Sequence, residues 1–598
     1  MMRTIVVVLC ALLVGTSPAQ TPPAHEWLTF YEKSGYTRTP RYAETIEYCK
    51  RLDTASPWVK YVSFGISPQG RELPLVILSK DGHFEPATAR RSGKAIILIQ
   101  SGIHAGEIDG KDASLMLMRE IAITKKLASL LDNTILLFVP IFNVDGHERF
   151  GPFNRINQNG PEEMGWRTTA QNLNLNRDYM KADAPEMRAM LRLFTSWLPD
   201  LYIDCHVTDG IDVQYDITYA TETAPSIDAG ISRWIEQRLL PASLPKVEAA
   251  GHKIFFYVFL REENDLSKGL NGGAASPRFS TGYGALQNRP TVLVETHMLK
   301  PYRTRVEATY HFLKAIIGCV NEDAQRLRVL VNAADEATAR LSFASGTRIL
   351  PIAYGLSDKA TMVEFLGIES KMEPSAISGG TRTVYTGVPV RMTIPFYKNV
   401  KVTDSVDMPL AYLVPKEWTF VEEVASLHGI RIERLARAVS LEVESYRFTD
   451  VKFRDRPYEG RQMARYSIER IRQTRFYPEG TMLIRTNQRT GKVVAHLLEP
   501  KAPDSFVAWG FFNSIFEQKE YAEPYVMEAI GERMLAEDER LRSEFEHKVK
   551  TDTTFARSPE ARLNWLYLRS KYADPWMNVY PIGRLVQEVP GLQTKEGR

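Results

Sequence analysis

The sequence predicts an α/β fold: a mixed, mostly parallel sheet flanked by helices, followed by a smaller β-rich domain and a helical tail. Three observations point there. Apolar runs at 95–99, 134–139, 199–206 and 290–295 read as buried strands, and strands covered on both faces are the mark of a largely parallel sheet. Helical patterns alternate with these runs. After residue 346 the pattern changes to short strands separated by Gly and Pro turns, and from 520 onward to charged helices.

In chain order, 25–34 and 42–52 read as helices. Residues 59–65 alternate as a strand, and Gly70 turns them into 72–78. This hairpin belongs at the sheet edge, because Pro74 lacks a ladder donor. Next comes Ala95-Ile96-Ile97-Leu98-Ile99, which runs into a Gly-bracketed turn carrying His104 and Glu107. Leu115, Met118, Ile121 and Ala122 follow at helical spacing, in a helix expected to reach about residue 126. A His and a Glu three apart at a strand end can face one point. That is two-thirds of a zinc site with a position open for water.

Residues 134–140 form a second buried strand, leading to the turn Asn143-Val144-Asp145-Gly146. Residues 147–175 are polar and aperiodic, and a long irregular loop inside a compact domain usually carries function. The loop holds Trp166-Arg167 and leads to Asn174-Leu175-Asn176-Arg177-Asp178. A helix over 185–197 precedes a strand ending in His206, and the 290–295 strand ends in Glu295. In open α/β sheets, sites lie beyond the carboxyl ends of the strands. Parallel strands would therefore bring His104, Glu107, His206 and Glu295 to one crevice, as a metal site. The remaining histidines fit less well. His25 is in the entry segment, His147 and His252 are expected to face solvent, and His297 and His311 to satisfy local structure.

A chain of 598 residues argues for more than one domain, and a net charge of +3 is too small to argue for nucleic acid or an anionic membrane. Met1-Met2-Arg3 precedes an apolar core at 5–14, which is too short to span a bilayer. Small residues at Ser17 and Ala19 suit a signal peptidase, so 1–19 is expected to be a signal peptide, cleaved after Ala19. The product would be exported, periplasmic or secreted, with no stable membrane insertion; an uncleaved anchor is the alternative. Cys49, Cys205 and Cys319 are too few for a disulfide scaffold, and Cys205 reads as a buried thiol.

In the remaining half, 320–345 reads as a helical connector. The runs 384–390, 411–415, 439–443 and 493–498 read as strands of a sandwich, with one helix at 418–429. Residues 534–550 read as a solvated helix, and Trp565, Tyr567, Tyr572 and Trp576 as packing aromatics.

Taken in order, these residues resemble the zinc carboxypeptidase family, of the carboxypeptidase A type, in a bacterial-type exported form with an extra C-terminal β-rich region. His104 and Glu107 match its His-x-x-Glu ligands and His206 its third ligand. Arg167, following Trp166, is similar to the family's oxyanion arginine. Asn176-Arg177 is similar to the pair that holds the substrate's terminal carboxylate, and Glu295 matches the general base. The resemblance covers roughly 40–320 and implies one Zn2+ per chain. Two departures stand out. Asn174 occupies a position where the digestive enzymes carry an acidic residue supporting the first ligand. Tyr283, the candidate for the mobile active-site tyrosine, lies closer to Glu295 than in those enzymes. The implied organisation is a signal peptide at 1–19, a zinc peptidase domain at 20–335, a β-rich accessory domain at 346–510 and a helical segment at 520–598.

The implied reaction is hydrolysis of the C-terminal peptide bond of a peptide with a free carboxylate. Zinc on His104, Glu107 and His206 would lower the pKa of a bound water toward about 7. Glu295 would move the proton, Arg167 would stabilise the oxyanion, and Asn176, Arg177 and Tyr283 would bind substrate. Two rivals stay open: a zinc amidase or peptidase acting on cell-wall stem peptides or acyl-amino acids, and a catalytically decayed binding protein.

Overall fold

The computed structural model describes residues 24–263, 265–341 and 349–596. The expected signal peptide lies outside the described residues. The first part of the chain builds an eight-stranded sheet from β1 (Val59–Ile66), β2 (Glu72–Leu78), β3 (Ala95–Ser101), β4 (Thr134–Val139), β5 (Leu201–Thr208), β6 (Ile217–Thr221) and β7 (Ile254–Phe256). The chain then leaves the sheet as β8 (Phe259–Glu262) and β9 (Asp265–Asn271), and returns as β10 (Thr291–His297). The order is β1-β2-β4-β3-β5-β10-β6-β7. The central four, β4-β3-β5-β10, run parallel. β1 and β2 form the antiparallel hairpin at one edge, and β6 opposes β10 at the other side. Pro74 sits in β2 but pairs only toward β1, since the β4 ladder begins at Val76. Its missing donor therefore costs no central hydrogen bond.

Strand alternation sends β3 into two cores. Ile97 and Ile99 join the helices Asp109–Ala122 and Tyr302–Arg340 on one face, with Leu115, Met118, Ile121 and Phe312. Ile96 and Leu98 join the helix Pro185–Trp197 on the other, with Met187, Met190, Leu191 and Phe194. This two-sided cover explains why β3 and β4 carry no exposed residue. The turn expected at 143–146 is the start of a short helix, Val144–Glu148, capped by Asn143 accepting from the Gly146 N–H. Cys49, Cys205 and Cys319 are free and buried.

The second part departs from a sandwich. β11 (Ile349–Leu356) pairs with β14 (Val400–Asp407), while β12 (Thr361–Pro374) and β13 (Thr381–Tyr397) form a long hairpin. That hairpin joins β9 and β8, and most of its outer half is open to solvent, so it cannot serve as a packed layer. β15 (Ala411–Val414), β16 (Glu433–Leu435), β17 (Val439–Phe453), β18 (Ala464–Tyr477), β19 (Met482–Arg485), β20 (Gly583–Leu585) and β21 (Thr594–Glu596) make a seven-stranded sheet, ordered β18-β17-β20-β15-β19-β16-β21. The expected strand at 493–498 is a helix, Gly491–Leu498, and 418–429 contains the helix Thr419–Leu427. A short, fully buried apolar run suits either state. The segment 520–598 is helical only to Tyr567, after which β20 and β21 return to the sheet. Residues 534–550 are two helices meeting at Asp538, which caps the second through Leu541 N–H. Trp565 and Tyr567 pack there, but Tyr572 and Trp576 are more than half exposed.

Candidate active site

β3, β5 and β10 end side by side, with Ser101 opposite Cys205 and Glu295 opposite His206. Gly102, at φ +67, bends the chain out of β3 toward His104. Gly106 has no side chain because Arg155 Cγ and the Gly165 carbonyl would lie 2.6 and 2.7 Å from a Cβ. That close approach lets the 149–167 loop reach Glu107. Nδ1 of His104 and Nδ1 of His206 lie 3.1 Å from Oε1 and Oε2 of Glu107, respectively. Ligand atoms of all three residues fall within 4.8 Å of one another, and all three side chains are buried. Among the described residues this is the only such cluster.

Each imidazole is held by its far nitrogen. His104 Nε2 donates to Asn174 Oδ1 at 3.2 Å, and His206 Nε2 donates to Asp204 Oδ2 at 2.8 Å. Asn174 thus stands as the neutral partner where the resemblance implied an acid, and the carboxylate supports the other histidine. Both Nδ1 atoms are thereby turned toward Glu107, whose Oε2 accepts a hydrogen bond from His206 Nδ1. The arrangement fits a metal on its own terms. His104 Nδ1 and Glu295 Oε2 are buried atoms without a hydrogen bond, and two imidazoles plus a carboxylate are a zinc donor set.

The electrostatics follow from burial and these partners. Burial pushes the His104 imidazole down to about 4. Burial also opposes protonation of His206, but the Asp204, Glu107 and Glu295 carboxylates together outweigh it and raise that imidazole well above its usual value. Burial pushes the Glu295 carboxyl up to about 8, against the pull of His206. Glu107 Oε1 lies 2.9 Å from Arg155 Nη2 and 3.2 Å from Arg167 Nη1.

His104, Glu107, Arg167, Asn176, Arg177, His206 and Glu295 all line one crevice of about 440 Å³. Arg177 does not pair with Asp178, which takes Lys181 and the N–H groups of Asp183 and Ala184. Instead its guanidinium lies 4.4 Å from the Phe279 ring and donates through Nε to Tyr458. Asn176 Oδ1 is buried and unpaired.

Tyr283 is a correction. It is fully buried in the helix Ser280–Leu286, with its hydroxyl on His428 and Gln287, and does not line the crevice. The helix turns Ser280 and Thr281 toward the crevice and Tyr283 toward the core. Tyr257 lines the crevice instead. His147 and His252 are also corrections: both are buried, against Lys111 and His311, respectively. Neither reaches the site. Sequence reasoning also missed Arg155, Asp204 and Tyr458.

The zinc carboxypeptidase family model matches residues 45–242, a span holding every one of these crevice residues named by the motifs except Glu295. Carboxypeptidase 2 of Trichophyton rubrum is 25% identical over 511 residues, covering 83% of this chain and 88% of that protein. Probable carboxypeptidase 2 of Arthroderma benhamiae is 25% identical over 509 residues, covering 82% and 88%. Among solved structures, a metallo-carboxypeptidase from Burkholderia cenocepacia matches at 16% identity and a TM-score of 0.35, over 47% of this chain and 69% of that one. Over residues 45–242 the chain is thus similar to the zinc carboxypeptidase family, and over most of its length to carboxypeptidases of the peptide-hydrolysing kind.

Proposed function

We propose that the protein is a zinc-dependent metallocarboxypeptidase that removes the C-terminal residue of peptides with a free carboxylate. The observation that carries this is the joint placement, in one crevice, of the His104–Glu107–His206 cluster, the unpaired Glu295 and the Asn176-Arg177 pair. A zinc ion held by His104, Glu107 and His206 would supply a Lewis acid that activates water and polarises the scissile carbonyl. Glu295, with Oε2 buried and unpaired beside the cluster, is placed to take the proton from the attacking water. The same oxygen then hands that proton to the departing amine. Arg167 is a fixed positive charge for the oxygen that becomes negative. Arg177 offers a planar fork to the terminal carboxylate, and Asn176 adds a donor.

The test uses paired peptides that differ only in a free or amidated C-terminus. The free acids are expected to be cleaved and the amides to be poor substrates. Glu295→Gln should keep its metal and lose roughly two to four powers of ten in turnover. Equal cleavage of acids and amides by the wild type would sink the exopeptidase reading and favour an amidase or endopeptidase. Among the described residues no helix is long and apolar enough to cross a membrane. The export expected from residues 1–19 stays part of this proposal.

A further inference from the structure

One wall of the crevice has little structure of its own. Residues 272–279 join β9 to the helix Ser280–Leu286, and Gly272, Gly273, Ala274, Ala275, Ser276 and Phe279 all line the cavity. The first five of these are Gly, Ala or Ser. Side chains so small bury little apolar area, and the two glycines leave the backbone wide freedom. Hydrogen bonds must therefore fix this wall. Its position matters, because the Arg177 guanidinium lies 4.4 Å from the Phe279 ring.

The first half of the chain supplies one anchor, Glu222, which accepts from the Ala275 N–H at 2.9 Å. Others come from the second half. The Gly272 N–H donates to the Tyr397 carbonyl of β13 at 2.9 Å. The densest anchor is Asp504, in the turn that follows the helix Gly491–Leu498. Its Oδ2 accepts from the Arg278 N–H at 3.0 Å and from the Ser276 hydroxyl, and its Oδ1 accepts from Arg278 Nε at 2.6 Å. Arg278 Nη2 also donates to the neighbouring Pro503 carbonyl at 3.2 Å. Asp504 is 1% exposed, and Phe506, Val507 and Phe512 root its turn in the core. A buried carboxylate that takes one cation and two neutral donors holds them at a fixed geometry.

These contacts close on themselves. The Arg278 guanidinium lies 4.7 Å from the Trp509 ring, and Trp509 stacks on Tyr458 with their planes 8° apart. The Tyr458 hydroxyl accepts from Arg177 Nε at 3.3 Å. Phe279, next to Arg278 in the chain, leads back to Arg177. Asp504 thus reaches Arg177 by two routes: through the backbone to Phe279, and through the Arg278 side chain, Trp509 and Tyr458.

We infer that Asp504 is a positioning residue for substrate binding, which fixes the 276–279 wall so that Arg177 presents its fork to the terminal carboxylate. The inference rests on the carboxypeptidase reading above. It makes the second half of the chain part of the substrate site. The side-chain partners of Asp504 are Ser276 and Arg278, not the His104–Glu107–His206 cluster, so its role lies in binding and not in the chemical step.

The full-length, zinc-loaded wild type and Asp504→Asn are compared on paired peptides with free and amidated C-termini. Asn keeps the shape and one acceptor but loses the charge. KM for the free acids should rise roughly tenfold, the low end for losing a hydrogen bond between charged groups, with kcat within a few-fold. Because the loss acts through Arg177, the preference for acids over amides in kcat/KM should shrink by a similar factor. Zinc affinity, read by chelator competition, should hold. Equal losses on acids and amides would mean that Asp504 only braces the fold, and would overturn the inference. An unchanged KM, or a loss of zinc, would overturn it as well. If Asp504→Asn does not fold, Arg278→Gln removes the same pair from its more open side, since the Arg278 side chain is 16% exposed against 0% for Asp504. The same readings then decide. A wild type that cleaves acids and amides equally sinks the carboxypeptidase reading and this inference with it. A wild type that prefers acids, with a variant that prefers them as strongly, sinks the inference alone.

Discussion

The two candidate ligand histidines point their Nδ1 atoms at Glu107 yet are braced differently: His104 by the Asn174 amide, His206 by the Asp204 carboxylate. A carboxylate behind an imidazole fixes its tautomer and makes its other nitrogen a stronger donor to a metal. A neutral amide fixes the tautomer only. The charge therefore resides on the β5 side of the site. Asp204→Asn is expected to weaken zinc binding by roughly 10–100-fold, measured by chelator competition, and Asn174→Ala by less. Equal effects would mean that Asp204 acts through geometry and not charge. His104, Glu107 and His206 were legible because each sits at or near the end of an apolar run. Asp204 left a signal that went unread: two residues before His206 on one strand, it shares that residue's face. Arg155 left none, because the irregular loop carrying it has no period from which to infer direction.

Among the elements, the helix Pro185–Trp197 was legible to the residue, from Pro185 at its start and the apolar spacing of Met187, Met190, Leu191, Phe194 and Trp197. The 493–498 run was misread as a strand because it is apolar all round, so burial on every side erased the period. The first turn of the 185–197 helix also holds a strained group. Glu186 is buried, and neither carboxylate oxygen has a hydrogen bond. Burial, against the pull of its own backbone N–H and with the nearby Asp145 and Asp178 carboxylates adding, raises it to about 7 from an ordinary 4.5. The sign follows. Below pH 4.5 the group is protonated both folded and unfolded, and stability is unaffected. Between pH 4.5 and 7 the unfolded chain ionises first, so stability falls, and above 7 the full loss is present. Glu186→Gln should therefore raise stability by about 1–3 kcal/mol at pH 8 and change it little at pH 4. Denaturant melts at the two pH values check this, and a gain equal at both would show that charge is not the cause.

At the scale of the whole molecule, the C-terminal half is not an appendage. Val421, Val424, Val494 and Leu497 share one core with Met187, Met190 and Phe194 of the peptidase part. β20, from the last residues of the chain, closes the sheet beside β15 and β17. Its Arg584 is buried between Glu444 and Glu499. Pairings between residues so distant in sequence leave no local pattern, which is why the sheet order was not legible. The same packing brings two C-terminal segments to the crevice. Arg461 pairs with Asp183, and Asp504 pairs with Arg278 at 2.6 Å. Between them Tyr458, stacked 6.0 Å from Trp509, accepts from Arg177 Nε at 3.3 Å. Arg177 is thus held by Phe279 and the Asn176 carbonyl from the first half of the chain and by Tyr458 from the second. A guanidinium that must present its fork to a carboxylate loses affinity when one restraint is removed, because the bound orientation has to be ordered anew. In the full-length chain, Tyr458→Phe keeps the stacking on Trp509 and removes only the hydroxyl. It should raise KM for free-acid peptides by roughly tenfold, the low end for a hydrogen bond to a charged group. Because the effect lies in substrate binding, kcat and the melting temperature should hold. Steady-state kinetics separate the outcomes: an unchanged KM would mean that Phe279 and the Asn176 carbonyl suffice to orient Arg177, and a fall in kcat alone would place Tyr458 in the chemical step.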